Sequence, residues 1–262
     1  MARLAAVSLF VIAILVCSAY AQNQPPSDPR AVAVAAQSMA SLTGGTAISD
    51  VTLTGNATWT AGSDGETGSA TLLALGTSES RIDLYLPSGT RTEIRDSSTG
   101  SAQGQWIAQS DGSGKFPSHN CLTDAVWFFP ALSSLAGGTN VIFSDVGQET
   151  RNGASVRHLQ SYVYQFNQMQ GPGPNPQQLS TVDFYLDATT LLPSAISFNV
   201  HPDNDVNNNI PVEIDFSNYQ AISGVTVPMH IQKYVQGDLL IDVTVSSAAF
   251  NTGIALSNFA IK

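Results

Sequence analysis

The chain has 262 residues, of which 20 are acidic and 10 are basic, and its formal net charge is −10. Because phosphate backbones repel acidic proteins, this balance argues against nucleic acid as a partner. Only 11% of the residues are charged, and small uncharged side chains supply most of the remaining polarity, a composition common among exported β-proteins.

The N-terminus has the pattern of a secretory signal peptide. Residues 4–16 form an uninterrupted, mostly aliphatic run behind a single basic residue, Arg3. This run is shorter than the roughly 20 residues that a membrane-spanning helix needs. Ala19 and Ala21 then place small side chains at the two positions that a signal peptidase recognises. We therefore predict removal of residues 1–21 and a periplasmic or secreted mature protein.

The two cysteines have different expected fates. Cys17 lies within the predicted signal peptide, and Val16 stands where a lipid-modified cysteine is preceded by a small residue. Lipid anchoring through Cys17 is therefore the less favoured alternative. Removal of the peptide leaves only Cys121, which excludes an intramolecular disulfide. Residues 22–262 show no composition shift that marks a boundary, and they predict a single domain that depends on its core.

A helix is predicted after a short polar leader. Ser27 or Asp28 can cap its first turn, Pro29 suits the first helical position, and Gly44-Gly45 ends it. One stripe of this helix carries mostly small side chains, namely Ala31, Val34, Ala35, Ser38, Met39 and Leu42. Small side chains allow a helix to pack closely against a sheet.

From residue 48 onward most of the chain alternates apolar and polar residues. Since successive side chains of a strand point to opposite faces, each such run has one apolar and one polar face. The predicted strands cover residues 48–59, 69–75, 81–86, 90–95, 101–108, 140–150 and 155–166, followed by several between residues 181 and 250. Many one-sided strands joined by short turns indicate a large antiparallel sheet.

Two segments interrupt the strand pattern. In residues 121–135 apolar side chains recur at steps of three and four, which predicts a mid-chain helix with a kink at Pro130 and an end at Gly137-Gly138. Residues 171–178 consist of Gly, Pro, Asn and Gln, a composition that predicts a flexible loop between two strands.

Short motifs in the C-terminal third resemble a known family. Residues 185–193 read Tyr-Leu-Asp-Ala-Thr-Thr-Leu-Leu-Pro, and residues 216–219, Phe-Ser-Asn-Tyr, precede Gly-Val-Thr-Val-Pro at residues 224–228. These motifs and the order of helix and strands are similar to those of the outer-membrane lipoprotein-sorting (LolA/LolB-like) family. Members of that family bind acyl chains in an apolar hollow, and relatives serve as periplasmic sensors. The Gly-Pro loop and an Asn-rich turn depart from the carrier pattern.

The resemblance implies a mainly β fold. The expected form is a curved antiparallel sheet making a half-open β-barrel, with the N-terminal helix and the mid-chain helix over its concave face. The candidate ligand-binding residues are the aromatic run Trp127, Phe128 and Phe129, with Trp106 and Phe184 as neighbours on strands. The alternative is that these side chains simply fill the barrel. Because three consecutive side chains point around a helix, we expect at least one to meet a cavity mouth or a ligand.

No motif indicates catalysis, a cofactor or a metal. The four histidines lack metal-ligand spacing, and the chain has no GxSxG elbow and no dinucleotide-binding glycine pattern. Residues 201–209 carry oxygen ligands at alternating positions, but Asn208 and Ile214 stand where a calcium loop has Gly and Glu. A solvated turn is the favoured interpretation of this segment.

The leading hypothesis is an exported, non-enzymatic protein that binds a hydrophobic ligand, either an acyl chain or a lipoprotein lipid, in an apolar barrel cavity. No stable membrane span is expected after signal cleavage. The alternative is an envelope interaction or sensor module, with a filled core and a protein partner bound at the surface. A hydrolase without a recognisable motif is the third hypothesis.

Overall fold

The computed structural model describes residues 24–62, 64–165 and 175–261. Within them a single 13-stranded sheet forms, and all neighbouring strands are antiparallel. The strands are β1 (Asp50–Ala61), β2 (Asp64–Leu75), β3 (Glu79–Leu86), β4 (Gly89–Asp96), β5 (Gln103–Ala108), β6 (Gly112–Phe116), β7 (Val141–Arg151), β8 (Ala154–Val163), β9 (Val182–Asp187), β10 (Pro193–Val200), β11 (Ile210–Ile222), β12 (Val225–Val235) and β13 (Asp238–Phe250).

The sheet consists of two meanders that meet in its middle. Its strand order is β6-β5-β4-β3-β2-β1-β13-β12-β11-β10-β9-β8-β7, so the first and last strands of the chain pair with each other. The two edges, β6 and β7, are consecutive in sequence and do not pair within the described residues. The sheet is therefore a curved, half-open β-barrel, which confirms the predicted fold class.

Local irregularities accompany this curvature. Register shifts interrupt four of the strand pairs, including β1–β13 at Thr54 and Gly55, and a bulge increases the bend and twist of a strand. A Cβ atom on Gly55 would lie 2.1 Å from the Thr244 carbonyl oxygen. Only glycine allows this close approach of the two backbones.

The concave face of the sheet carries the core. Residues paired across strands share a face, and the register aligns Leu53, Leu72 and Ile82 in one buried row. A second row crosses the other meander and contains Ile214, Ile196, Phe184 and Leu159. Both rows belong to one continuous core, as the alternation of apolar residues predicts.

The N-terminal helix α1 (Pro29–Thr43) lies where the sequence predicts it. The Asp28 carboxylate accepts a hydrogen bond of 2.8 Å from the Arg30 amide, and the helix ends at Gly44 in the left-handed conformation. Its small side chains are buried against β7, β12 and the mid-chain segment. Ser38 Oγ donates to the Leu191 carbonyl at 2.7 Å, so even the polar member of the stripe is satisfied.

The predicted mid-chain α-helix is wrong. Residues 118–136, termed the mid-chain segment, form successive turns and three short 3-10 helices, Ser118–Asn120, Pro130–Leu132 and Ser134–Ala136. An α-helix on a sheet buries one stripe, whereas residues 124–133 of this segment are all buried. The apolar spacing therefore reflects burial on every side of a chain that links the two sheet edges.

Three smaller points concern strand β6, a short helix and the predicted segments that lie outside the described residues. The Gly-rich strand β6 gave no sequence signal. Pro176–Gln178, predicted as part of a loop, begin the short helix α2 (Pro176–Ser180), which Asn175 caps through the Gln177 amide at 3.0 Å. The predicted signal peptide, Cys17 and residues 171–174 of the loop lie outside the described residues. In the part that is described, no helix has the length and apolarity to cross a bilayer.

Candidate ligand-binding interior

The aromatic run Trp127, Phe128 and Phe129 lies deep in the core. The three side chains are at most 2% exposed. The rings of Trp127 and Phe128 meet edge to face at 5.8 Å, and Phe129 lies 6.0 Å from Phe250 of β13. None of the three therefore meets a cavity mouth, and contact of one of them with a ligand stays a prediction. Successive turns, unlike a regular helix, let three neighbouring side chains all be buried.

Phe184 and Trp106 occupy different surroundings. Phe184 is fully buried on β9, where it pairs with Ile196 and joins the same core as the aromatic run. Trp106 is half-buried on β5, next to the sheet edge, and its indole covers Gly114 of β6. The structure thus brings four of the five candidate residues into one core and leaves Trp106 outside it.

A buried ion pair attaches the mid-chain segment to β4. Arg95 Nε and Nη2 donate to the two Asp124 carboxylate oxygens at 2.7 and 2.5 Å, and both side chains are at most 6% exposed. The Arg95 guanidinium also lies 3.8 Å from the centroid of the Phe116 ring. Such a bidentate pair is a strong interaction and also fixes the relative orientation of the two side chains.

A second attachment involves His201, which follows β10. Asn120 Nδ2 donates to the His201 carbonyl at 2.9 Å, and the His201 amide donates to Asn120 Oδ1 at 3.0 Å. His201 is only 1% exposed, so it departs from the solvated turn expected for residues 201–209. Burial, together with the neighbouring His119, lowers the pKa of His201.

Two adjoining clefts flank the mid-chain segment. Their volumes are about 340 and 330 Å³, and they share Leu122, Val163, Gln165 and Ser180. Leu122 is 45% exposed although it lies beside the core. Ser161 lines the second cleft, and its buried Oγ has no hydrogen-bond partner among the described residues. Most of the side chains that line the two clefts are polar, and Leu122 and Val163 are the apolar residues that both clefts share.

A third cleft lies where β1 ends and β12 turns into β13. Its volume is about 460 Å³, and it is lined by Thr60, Ala61, Gly62, Val235, Asp238, Leu239 and Leu240. Val235 pairs with the buried Val212 and therefore faces the concave side. This cleft thus opens next to the apolar interior.

The outer face carries polar groups instead. A groove of about 490 Å³ is lined by Arg151, Tyr185 and three carboxylates, Asp183, Glu213 and Asp215. Burial, reinforced by the neighbouring Glu213, raises the pKa of Asp215 to about 6. This lining does not suit an acyl chain.

A Ser–His–Asp row also lies on the outer face, on strands β11 to β13. Ser217 Oγ is 3.2 Å from His230 Nδ1, and His230 Nε2 is 2.9 Å from Asp242 Oδ1. Sequence reasoning missed it because its members are far apart in the chain and match no motif. Among the described residues, no group of three or more His, Cys, Asp or Glu side chains could hold a metal ion.

Comparison with solved structures identifies the fold. The chain superposes on a domain from Vibrio parahaemolyticus assigned to outer-membrane lipoprotein sorting, with a TM-score of 0.54 and 13% identity over 88% of this chain and 96% of that one. A LolA superfamily protein from Nitrosomonas europaea gives a TM-score of 0.55 and 9% identity over 88% and 97%. A DUF1329 family protein from Desulfovibrio piger gives 0.53 and 9% over 90% and 98%.

These similarities extend over nearly the whole of each chain and confirm the LolA-like fold that the C-terminal motifs indicated. At these identities they establish architecture alone. No family model matches the sequence, and no curated protein matches it.

Proposed function

We propose that this protein is an exported, non-enzymatic carrier or binder of a hydrophobic ligand. The ligand would be an acyl chain, either of a free lipid or of a lipoprotein, held between the concave face of the sheet and the mid-chain segment. Trp127, Phe128, Phe129 and Phe184 would line the site, and Trp106 would lie at its margin. Export to the periplasm or beyond follows from the predicted signal peptide.

The observation that carries this proposal is the apolar character of the concave face, together with the irregular structure of the segment that covers it. The buried rows of the concave face are apolar in both meanders. Together they form a larger continuous apolar surface than a protein normally exposes to water. Their cover is the mid-chain segment, whose own backbone hydrogen bonds close only short turns. The backbone hydrogen bonds of such a cover are less cooperative than those of a regular helix, so we expect a ligand to displace it more readily than an α-helix held by the same side-chain contacts.

The fold similarity supports the same reading. Two of the similar structures are a LolA superfamily protein and a domain assigned to lipoprotein sorting. The clefts beside Leu122 and Val163 lie along the mid-chain segment, so a ligand would enter there once the segment is displaced, without opening of the sheet itself.

One observation favours a second candidate function. The four buried aromatic residues fill the middle of the core, as expected of an envelope interaction or sensor module whose partner binds at the surface. Affinity capture from an envelope extract separates the two functions. The module predicts a stoichiometric protein partner without bound lipid, whereas the carrier predicts lipid.

Trp127 provides a direct test of ligand binding. In a variant with Trp59→Phe and Trp106→Phe, Trp127 is the only remaining tryptophan. A long-chain fatty acid brominated near its methyl end should quench its fluorescence saturably, at one ligand per protein, because bromine quenches indole only at contact. The matched control is Trp127→Phe, which keeps the other two tryptophans and should show weaker quenching. A folded protein whose Trp127 emission stays constant across the titration would contradict the proposal.

A further inference from the structure

Lys233 is a charged residue on the apolar side of the sheet. It lies on β12 and pairs with Ile214 and Ile241, both buried in the core. Only 7% of Lys233 is exposed. Its Nζ lies 4.6 Å from the centroid of the Trp127 ring, so the cation contacts a residue of the proposed ligand site.

Three other cations of this protein also lie on aromatic rings, and each has a carboxylate partner. Arg91, 4.2 Å from the Trp59 ring, pairs with Asp111 at 3.5 Å. Arg95 on Phe116 pairs with Asp124, and Arg151 on Tyr185 pairs with Glu213. Lys233 on Trp127 is the exception among the described cation–ring pairs.

No described ion pair joins Lys233 to an acidic side chain. All 20 Asp and Glu residues of the sequence fall within the described ranges. Ion pairs in those ranges involve arginine or histidine, and none involves Lys233. The one described contact of its ammonium group is the face of Trp127.

Burying an ammonium group without an opposite charge is costly, and a cation–π contact offsets only part of that cost. A ligand anion could supply the rest, because a charge-assisted hydrogen bond is strong where water is largely excluded. A cleft lies two residues further along the same strand. Val235, the next residue of β12 on the same face, lines the cleft of about 460 Å³ at the β12–β13 turn.

We propose that Lys233 binds the anionic head group of a single-chain amphiphile, a carboxylate or a phosphate, whose acyl chain lies along the concave face. This proposal rests on the proposed function and adds the chemical class of the ligand. It also assigns a role to Trp127, whose ring positions the ammonium group for the head group.

Head-group preference is the property to measure. Palmitate, hexadecyl phosphate and hexadecanol carry the same chain length but differ in charge, and they can be titrated into the delipidated protein by calorimetry or by displacement of a fluorescent fatty acid. The wild-type protein should bind at least one of the two anions about tenfold more tightly than the alcohol, which corresponds to about 1.4 kcal/mol. The preferred anion identifies the head group.

Three variants assign the preference to Lys233. Lys233→Met keeps the length of the side chain without its charge and should bind all three ligands with the affinity of the alcohol. Lys233→Arg should keep the preference for an anion. Lys115→Met removes the same charge from the exposed strand β6 and should behave like the wild type.

The outcomes separate this inference from the proposed function. Equal binding of anions and alcohol by the wild type overturns the role of Lys233 and leaves hydrophobic binding intact. A Lys233→Met variant that still prefers the anion, or that loses all three ligands alike, also overturns it. Absence of binding by all three ligands to a folded wild type contradicts the proposed function itself.

Discussion

At the residue scale, two buried cations of this protein have different surroundings. Arg95 is buried but fully paired with Asp124, and removing one partner of such a pair leaves a costly unpaired charge. Lys233 is buried without a carboxylate and rests on Trp127. The first arrangement fixes the structure of the mid-chain segment, and the second leaves a cation available for a ligand.

His201 is a third buried group with a consequence for stability. Burial and His119 lower its pKa below the ordinary value of 6.5, while backbone groups of Val206 and Asn208 oppose that shift in part. The folded state therefore binds fewer protons than the unfolded state. Stability that is present above pH 6.5 must be lost as the pH falls through that value toward the lower pKa of the folded state.

Replacing His201 tests this dependence. The midpoint of thermal unfolding of the wild type should fall between pH 7 and pH 5 by about 2–4 °C more than that of His201→Gln, the shift expected for about 1 kcal/mol in a domain of this size. Differential scanning calorimetry at several pH values measures it. Parallel pH profiles of the two proteins would show that His201 does not contribute.

At the element scale, the mid-chain segment is the part that sequence reasoning described least well. Strands and α1 follow from alternation and capping, which are local signals, and the structure has them near the predicted positions. The mid-chain segment is determined by distant partners instead, namely Arg95 on β4 and His201 after β10. A period of three to four residues could not distinguish burial on all sides from a helix.

The site residues that could be predicted are likewise those with a local sequence signal. The aromatic run was visible as a motif, and the structure brings it together with Phe184. Lys233 and Ser161 were not, because Ser161 matters for a buried hydroxyl without a hydrogen-bond partner and Lys233 for the absence of a described ion pair beside Trp127. Both properties depend on strand register, and one residue of slippage would place both side chains on the outer face.

A disulfide between β5 and the mid-chain segment tests whether this segment moves. A Cβ atom on Gly104 would lie 2.8 Å from Cys121 Sγ, close to the separation of about 3 Å that a disulfide requires. If a ligand enters by displacing the segment, as proposed, Gly104→Cys, once oxidised, should weaken fatty-acid binding more than about tenfold, and reduction should restore it.

Controls for this experiment follow from the surroundings of Cys121. Adding Cys121→Ser to the Gly104→Cys variant removes the partner thiol, and the double variant should bind alike under oxidising and reducing conditions. Burial raises the pKa of the Cys121 thiol to about 12, so spontaneous oxidation should be slow and a strong oxidant is needed. Unchanged binding by the fully oxidised variant would contradict displacement of the segment.

At the scale of the whole molecule, the proposed function depends on a sheet whose two edges remain apart. The first and last strands pair in the middle of the sheet, so the open side falls between β6 and β7. The sequence predicts a large one-sided sheet, and the family resemblance supplies its half-open form. The strand order could not be predicted from local sequence patterns, because pairing between β1 and β13 joins residues nearly 200 positions apart, such as Val51 and Phe250.

The most direct test of the central claim is native mass spectrometry of the mature protein, purified from the cell envelope without detergent. The account predicts a complex of one protein chain with one acyl-chain lipid, which dissociates on collisional activation to release an anionic species. A folded protein that appears only at its bare mass, before and after incubation with lipid vesicles, would contradict a carrier function.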